Sequence, residues 1–251
     1  MKRLLALLTA LLLAPLLSGP VRAGERIGVV LLHGGGAAGN QFDDLKPKVL
    51  AAGYGLETPT MCWSGSRRYD KSAEACMADV DKAIAKLKSQ GFTRIVVGGH
   101  SMGGINAILY AARHRDLAGL IAFAPSSPPT GSNFTAQLAR DAARLGKGDE
   151  KVNFPGGLND FVATPNDLLS YLGKDSPLND QELLPAITAP ILWVAGTLDA
   201  GQTNALERFR AAPTHPLNSF VTVTADHFET PDVAVGEMVR WLDRLSASFT
   251  N

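Results

Sequence analysis

Gly99-His100-Ser101-Met102-Gly103 is the strongest chemical pattern in the chain. It follows the apolar run Arg94–Gly98 and precedes a helical pattern from Met102 to Arg113. A G-x-S-x-G between a strand and a helix forms a sharp turn that exposes the serine hydroxyl as a nucleophile. Side chains at positions 99 and 103 would collide with that turn, so glycine is required at both. Ser101 also sits at a helix N-terminus, where the backbone dipole favours developing negative charge. The second pattern is His33-Gly34-Gly35-Gly36, directly after the apolar run Ile27–Leu32. Its glycines let backbone N–H groups approach a reacting atom. Acyl transfer through a tetrahedral intermediate needs two such donors, and the expected pair is Met102 and Gly35. A phosphate-binding turn is the competing reading of the glycines. It is disfavoured because neither G-x-G-x-x-G nor Gly-Lys-Ser/Thr follows.

A serine nucleophile needs a base, and the base needs an orienting acid. Of the five histidines, His33 and His100 belong to the two motifs. His114 sits in the polar run Arg113–Asp116 and His215 between two prolines, both ordinary surface settings. His227 lies just beyond the last strand-like run, where an open α/β sheet places its site. Asp199 lies just beyond the run Ile191–Gly196. The order Ser101, Asp199, His227 is the order of serine, acid and histidine in one class of hydrolase. Asp226 is the competitor for the acid, but neighbouring side chains rarely face each other well enough to orient an imidazole; a turn role suits it better.

The elements that position these residues alternate. Strands are expected at Arg26–His33, Leu56–Met61, Arg94–Gly98, Leu117–Ala124, Ile191–Ala195 and Phe220–Thr224, several of them near-continuous in Val, Ile and Leu. Helices are expected at Lys46–Ala52, Ser72–Gln90, Met102–Arg113, Thr203–Ala211 and Pro231–Leu245, the last capped by Thr230. This rhythm implies an α/β fold with a doubly wound, mostly parallel sheet of about six strands. The stretch 126–189 breaks it and is too long for a simple connection, so a helical cap insertion is expected there. Helices in it should span Ser132–Gly146 and run from a capping-box start at Thr164 to Leu172, with a polar, Gly-rich stretch between them.

The N-terminus has Lys2 and Arg3, the apolar run Leu4–Leu17, then Val21-Arg22-Ala23. That is a secretory signal pattern, residues 1–23, with cleavage expected after Ala23 and the domain over 24–251. The apolar run is too short for a ~30 Å hydrocarbon core, so no stable membrane insertion is expected after cleavage, and the localisation expected is periplasmic or extracellular. Apolar residues at 45% and charged residues at 19% exclude a disordered chain. Cations and anions balance at 24 each, and three of the cations lie in the leader, so no basic field for nucleic acid exists. The histidines lack ligand spacing and there is no Cys-x-x-Cys, so no metal or other cofactor is expected. Cys62 and Cys76 would either bridge a loop of about 15 residues, worth about 3 kcal/mol, or remain buried thiols. Spacing alone does not choose between these.

The Gly-His-Ser-Met-Gly turn, the His33–Gly36 loop, Gly196-Thr-Leu-Asp199 and Asp226-His227 together resemble the α/β-hydrolase superfamily, in particular its small esterase-like members. The resemblance covers nearly all of the chain after the leader. It implies the glycine-loop strand near the sheet centre, a cap after the strand ending at Ala124, and a Ser-Asp-His triad that cleaves carboxylic esters through an acyl-enzyme. Thioester hydrolysis would use the same groups; a non-catalytic binding protein on this fold would need none of them. The two antiparallel strands that often open such a sheet are missing. Trp63 and Tyr69 either line a substrate pocket or pack a loop onto the cap. Phe134, Phe154, Phe161, Leu168, Leu169 and Tyr171 likewise form either a pocket roof or plain packing. The expected partner is a small acyl ester, and nothing in the sequence sets the oligomeric state.

Overall fold

A computed structural model describes residues 25–156 and 160–249. The expected leader lies outside the described residues. The main sheet holds β1 (Ile27–Leu32), β2 (Gly55–Glu57), β3 (Arg94–His100), β4 (Gly119–Phe123), β7 (Ile191–Gly196) and β8 (Ser219–Val223), all paired in parallel in the order β2-β1-β3-β4-β7-β8. β5 (Val152–Phe154) and β6 (Phe161–Ala163) form a separate antiparallel pair. The helices are α1 (Lys46–Ala51), α2 (Ala73–Ser89), α3 (Met102–Arg113), α4 (Phe134–Ala142), α5 (Pro165–Leu172), α6 (Asp180–Leu183), α7 (Ala205–Phe209), α8 (Thr230–Val233) and α9 (Val235–Ala247).

Successive residues of the central strands feed opposite faces, as the two-residue repeat of a strand requires. Val29 and Leu31 join the layer under α1 and α9, with Val49, Trp241 and Leu245. Val30 and Leu32 join the layer under α2 and α3, with Val80, Leu87 and Ile108. Both layers are apolar, so the strands read as unbroken hydrophobic runs, and each fully buried Leu or Val contributes about 1.5–3 kcal/mol.

Several elements differ from the sequence reading. β1 stands one strand in from the edge, not near the centre, because among the described residues no antiparallel strands flank β2. β2 stops at Glu57, where Thr58-Pro59 follows and the chain leaves the sheet to brace the glycine loop. The expected final helix divides at Ala234, and Thr230 is inside its first piece. The Thr230 hydroxyl donates to the Asp226 carbonyl (2.6 Å) and caps no N–H. α4 starts after Asn133, whose side chain accepts from Ala136 N–H, and gives way at Ala143 to a wider turn with Gly146 at φ 83°. The polar stretch that follows contains the β5–β6 hairpin, which its composition did not suggest. Thr164 does accept from Asp167 N–H (3.1 Å) at the start of α5.

Between β4 and β7 the chain leaves the sheet and forms α4, the hairpin, α5 and α6. Its core is small: Phe154 and Leu168 are buried with Ala139 and Ala163. Phe134 is 69% exposed. Packing thus accounts for Phe154 and Leu168, and Phe134 faces solvent.

Cys62 and Cys76 have Cα atoms 6.0 Å apart and are joined as a disulfide that pins the loop after β2 to the first turn of α2. Replacing both by serine is expected to lower the unfolding free energy by about 2–4 kcal/mol. The effect should appear as a lower urea midpoint at unchanged slope. An unchanged midpoint would show that the bridge adds nothing to the fold.

Candidate active site

β3 ends at His100, and the next residue turns the chain into α3 with φ 54° and ψ −118°. A non-glycine residue holds such a conformation only where its surroundings over-determine it. Here they do. A Cβ on Gly99 would lie 2.4 Å from the Gly103 carbonyl carbon, and one on Gly103 would lie 2.0 Å from the Leu32 oxygen. The two glycines therefore let β3, the start of α3 and the end of β1 close on one another. The result is a half-buried Ser101 at the carboxyl end of the sheet, with its hydroxyl free of capping duty.

His227 follows β8 and reaches that hydroxyl: its Nε2 is 2.8 Å from Ser101 Oγ. Its Nδ1 is 2.6 Å from Asp199 Oδ2. The Asp199 carboxylate is 8% exposed and also accepts from Gly201 N–H (2.8 Å). Asp226 points elsewhere. Its Oδ1 accepts from the N–H groups of Phe228 (2.8 Å) and Glu229 (2.9 Å), a turn-forming pattern. An imidazole held between a hydroxyl and a carboxylate can remove the hydroxyl proton while the carboxylate keeps the ring in the needed tautomer.

The His33–Gly36 loop lies beside this group. Gly34 N–H donates to Gln41 Oε1 (2.7 Å) and Gly36 N–H to the Trp63 carbonyl (3.0 Å). Gly35 N–H has no partner among the described residues, and a Cβ on Gly35 would lie 3.8 Å from Met102 Cβ. Met102 is the first residue of α3, so its own N–H is one of the donors a helix leaves unsatisfied. Gly35 and Met102 thus lie side by side in the segments that flank Ser101, and neither N–H is taken up by another group among the described residues.

A family model described as the alpha/beta hydrolase family matches residues 29–247. The chain belongs to this family. No curated protein matches it. Among solved structures, one from work on LipS and LipT, metagenome-derived lipolytic enzymes, superposes with a TM-score of 0.67 at 19% identity, covering 90% of this chain and 95% of that one. The monoacylglycerol lipase of Paleococcus ferrophilus gives 0.65 at 22% identity, over 88% and 94%. A thermophilic esterase from Thermogutta terrifontis gives 0.62 at 21%, over 89% and 92%. At these identities the likeness is one of fold.

A cleft of about 260 Å³ opens beside Ser101, walled by Met102, Ile105, Ser126, Thr130, Tyr171 and Leu178 among others. A larger one of about 490 Å³, lined by Asp81, Tyr110 and His114, lies apart from the Ser101 group. Trp63 is not a wall of the first cleft. It is 1% exposed, donates its indole N–H to the His33 carbonyl (2.8 Å) and packs against Tyr171. Tyr69 packs on Tyr171 and Phe161. Both pack the loop after β2 onto Tyr171 of the segment between β4 and β7. The structure adds Ser126, whose Oγ is 3.2 Å from Ser101 Oγ and whose N–H donates to the Ser101 carbonyl (3.0 Å). Its position just past β4 was the only sequence signal for it. The buried pair Arg208–Asp180 holds this segment, with Arg208 donating to the carbonyls of Pro125 and Ser126. Among the described residues, the one grouping with metal-ligand types is Cys62, Cys76 and Asp79. The disulfide takes its two sulfurs, and Arg67 and Lys82 bind the carboxylate.

His100 is 1% exposed, and burial pushes its imidazole down to about 4; the nearby charge of His227 adds to this, while the bond to the His227 carbonyl and the charge of Asp199 oppose it. Burial also lowers His33. A histidine that resists protonation when folded but not when unfolded gives stability that is complete above the unfolded value near 6.5 and fades as pH falls toward the folded one. Denaturant titrations are therefore expected to lose on the order of 3 kcal/mol between pH 6.5 and 4 on account of His100. His100→Gln should flatten that dependence. An equally steep loss in the variant would show that other groups cause it.

Proposed function

We propose that this protein is an exported serine hydrolase that cleaves carboxylic esters. The observation that carries the reading is His227 set between Ser101 Oγ at 2.8 Å and Asp199 Oδ2 at 2.6 Å, near a Gly35 N–H that has no partner among the described residues. Ser101 Oγ attacks the acyl carbon while His227 Nε2 takes its proton. The N–H groups of Gly35 and Met102 receive the oxyanion. His227 then gives the proton to the leaving alkoxide, and the alcohol departs. Water repeats the sequence on the acyl-enzyme, with His227 as base, and releases the acid and a free Ser101.

The family and the naming of structural neighbours as lipases and esterases support ester cleavage over other uses of the fold. The small cleft beside Ser101 favours a short acyl or alcohol group. The leader pattern and the Cys62–Cys76 bridge support export to an oxidising compartment. Thioesters would pass through the same steps.

A panel of p-nitrophenyl esters of rising acyl length, with thioesters and anilides, tests the reading. Short esters should turn over fastest, and Ser101→Ala should remove essentially all turnover while the circular dichroism spectrum is kept. Turnover that survives in Ser101→Ala would end the assignment.

The acid is tested separately. Asp199→Asn keeps the shape but favours the wrong imidazole tautomer, and the serine-protease template loses about 10⁴ in kcat for such a change. Asp199→Asn should lose several orders of magnitude in kcat with KM less affected. Asp226→Asn should stay within about tenfold of wild type. A crippled Asp226→Asn beside an active Asp199→Asn would reverse the two roles.

A further inference from the structure

His100 is buried at the end of β3, yet the reaction proposed above makes no use of it. Its ring lies 4.8 Å from that of His227, and a Cβ on Gly34 would come within 3.1 Å of its Nδ1. It stands in a chain of three short hydrogen bonds. Gly34 N–H meets Gln41 Oε1 at 2.7 Å. Gln41 Nε2 meets His100 Nδ1 at 2.7 Å, and His100 Nε2 meets the His227 carbonyl at 2.7 Å.

The two fixed ends determine every proton between them. A backbone N–H only donates, so Gln41 turns its oxygen to Gly34. Its other atom is then an NH₂, which only donates, so His100 Nδ1 must accept. The proton of the neutral ring is left on Nε2, where the His227 carbonyl accepts it. One protonation state satisfies all three bonds, and an imidazolium at His100 would set N–H against N–H at Gln41.

We propose that Gln41 and His100 are positioning residues, which hold the glycine loop and the His227 loop in register across Ser101. The proposal rests on the serine-hydrolase reading of the site. Asp199 orients the His227 ring, but its backbone sits on a segment whose neighbours Asp226, Phe228 and Glu229 are exposed. The His100 bond fixes that backbone to the end of β3, one residue from Ser101. At the other end the Gln41 bond occupies Gly34 N–H and so fixes the His33–Gly34 peptide, one residue before the Gly35 N–H. Displacements on the order of 1 Å in such a site cost about a hundredfold in rate.

The test uses Gln41→Leu, His100→Leu, their double variant and His100→Gln, with kcat referred to Ser101 titrated by a fluorophosphonate. Each leucine variant should lose about ten- to a hundredfold in kcat with KM within about threefold. The double variant should be little worse than the worse single one, because either change breaks the same chain. His100→Gln offers an oxygen to Gln41 and an N–H to the His227 carbonyl, and should recover to within about fivefold of wild type. Nitrogen-15 NMR of the wild type at pH 7 should place the His100 proton on Nε2. Leucine variants that keep kcat within twofold, a glutamine variant as impaired as leucine, or a proton on Nδ1 would each overturn the proposal. Should His100→Leu fail to fold, Gln41→Leu at its half-buried position and the NMR assignment decide it. Failure of the hydrolase reading is distinguishable: it would appear in the wild type as turnover that does not depend on Ser101.

Discussion

The contact between Gly103 and the Leu32 carbonyl leaves no room for a side chain, and the site depends on that closeness. A Cβ at position 103 would sit 2.0 Å from the Leu32 oxygen. With hydrogen there instead, α3 starts against the end of β1, and Ser101 is forced to φ 54°. The same closeness brings the start of α3 beside the glycine loop that leaves β1. One steric constraint thus sets both the exposure of the hydroxyl and the proximity of Met102 to Gly35. The conformation at Ser101 is unfavourable on its own, by about 1–3 kcal/mol, and the parallel pairing of β1, β3 and β4 around it offsets that.

Around this point the fold fastens each loop at the carboxyl end of the sheet by different means. The glycine loop is held by the segment after β2. Trp63 bonds the His33 carbonyl, Met61 N–H donates to His33 Nε2 (2.9 Å), and Gly65 N–H donates to the Gly36 carbonyl (3.1 Å). The disulfide in turn fixes that segment to α2. The loop after β4 is held by Arg208, whose partner Asp180 is fully buried. Losing one member of such a pair leaves a buried charge unmatched, which typically costs about 3–5 kcal/mol. The loop after β8 is held by its own Asp226 turn and by His100. Groups that touch no substrate thereby decide where the reacting groups sit.

What the sequence revealed follows from the range of the interactions concerned. The elbow at Ser101, the glycine loop and the places of Asp199 and His227 just past strand ends are short-range patterns, each legible within a few residues. The sheet was legible because strands buried on both faces are apolar without interruption. Trp63 was ambiguous because an aromatic after a strand end looks the same whether it lines a pocket or braces a loop; the His33 carbonyl that decides it is 30 residues away. Gln41 carries no local signal, and Ser126 only its place just past a strand end, since their partners His100 and Ser101 are brought to them only by the closed sheet. The β5–β6 hairpin has three-residue strands, too short to show a two-residue repeat. The break at Ala234 leaves the apolar stripe of α9 intact, so periodicity did not register it.

The most direct measurement is covalent. A fluorophosphonate reacts with a serine whose proton has a base to go to and whose developing oxyanion has donors, which is the central claim made for Ser101. Mass spectrometry of peptides from labelled protein should find one phosphonyl group per chain, on Ser101, with the Asp199→Asn protein labelled far more slowly. A label on another residue, or Asp199→Asn protein labelled at the wild-type rate, would contradict the account.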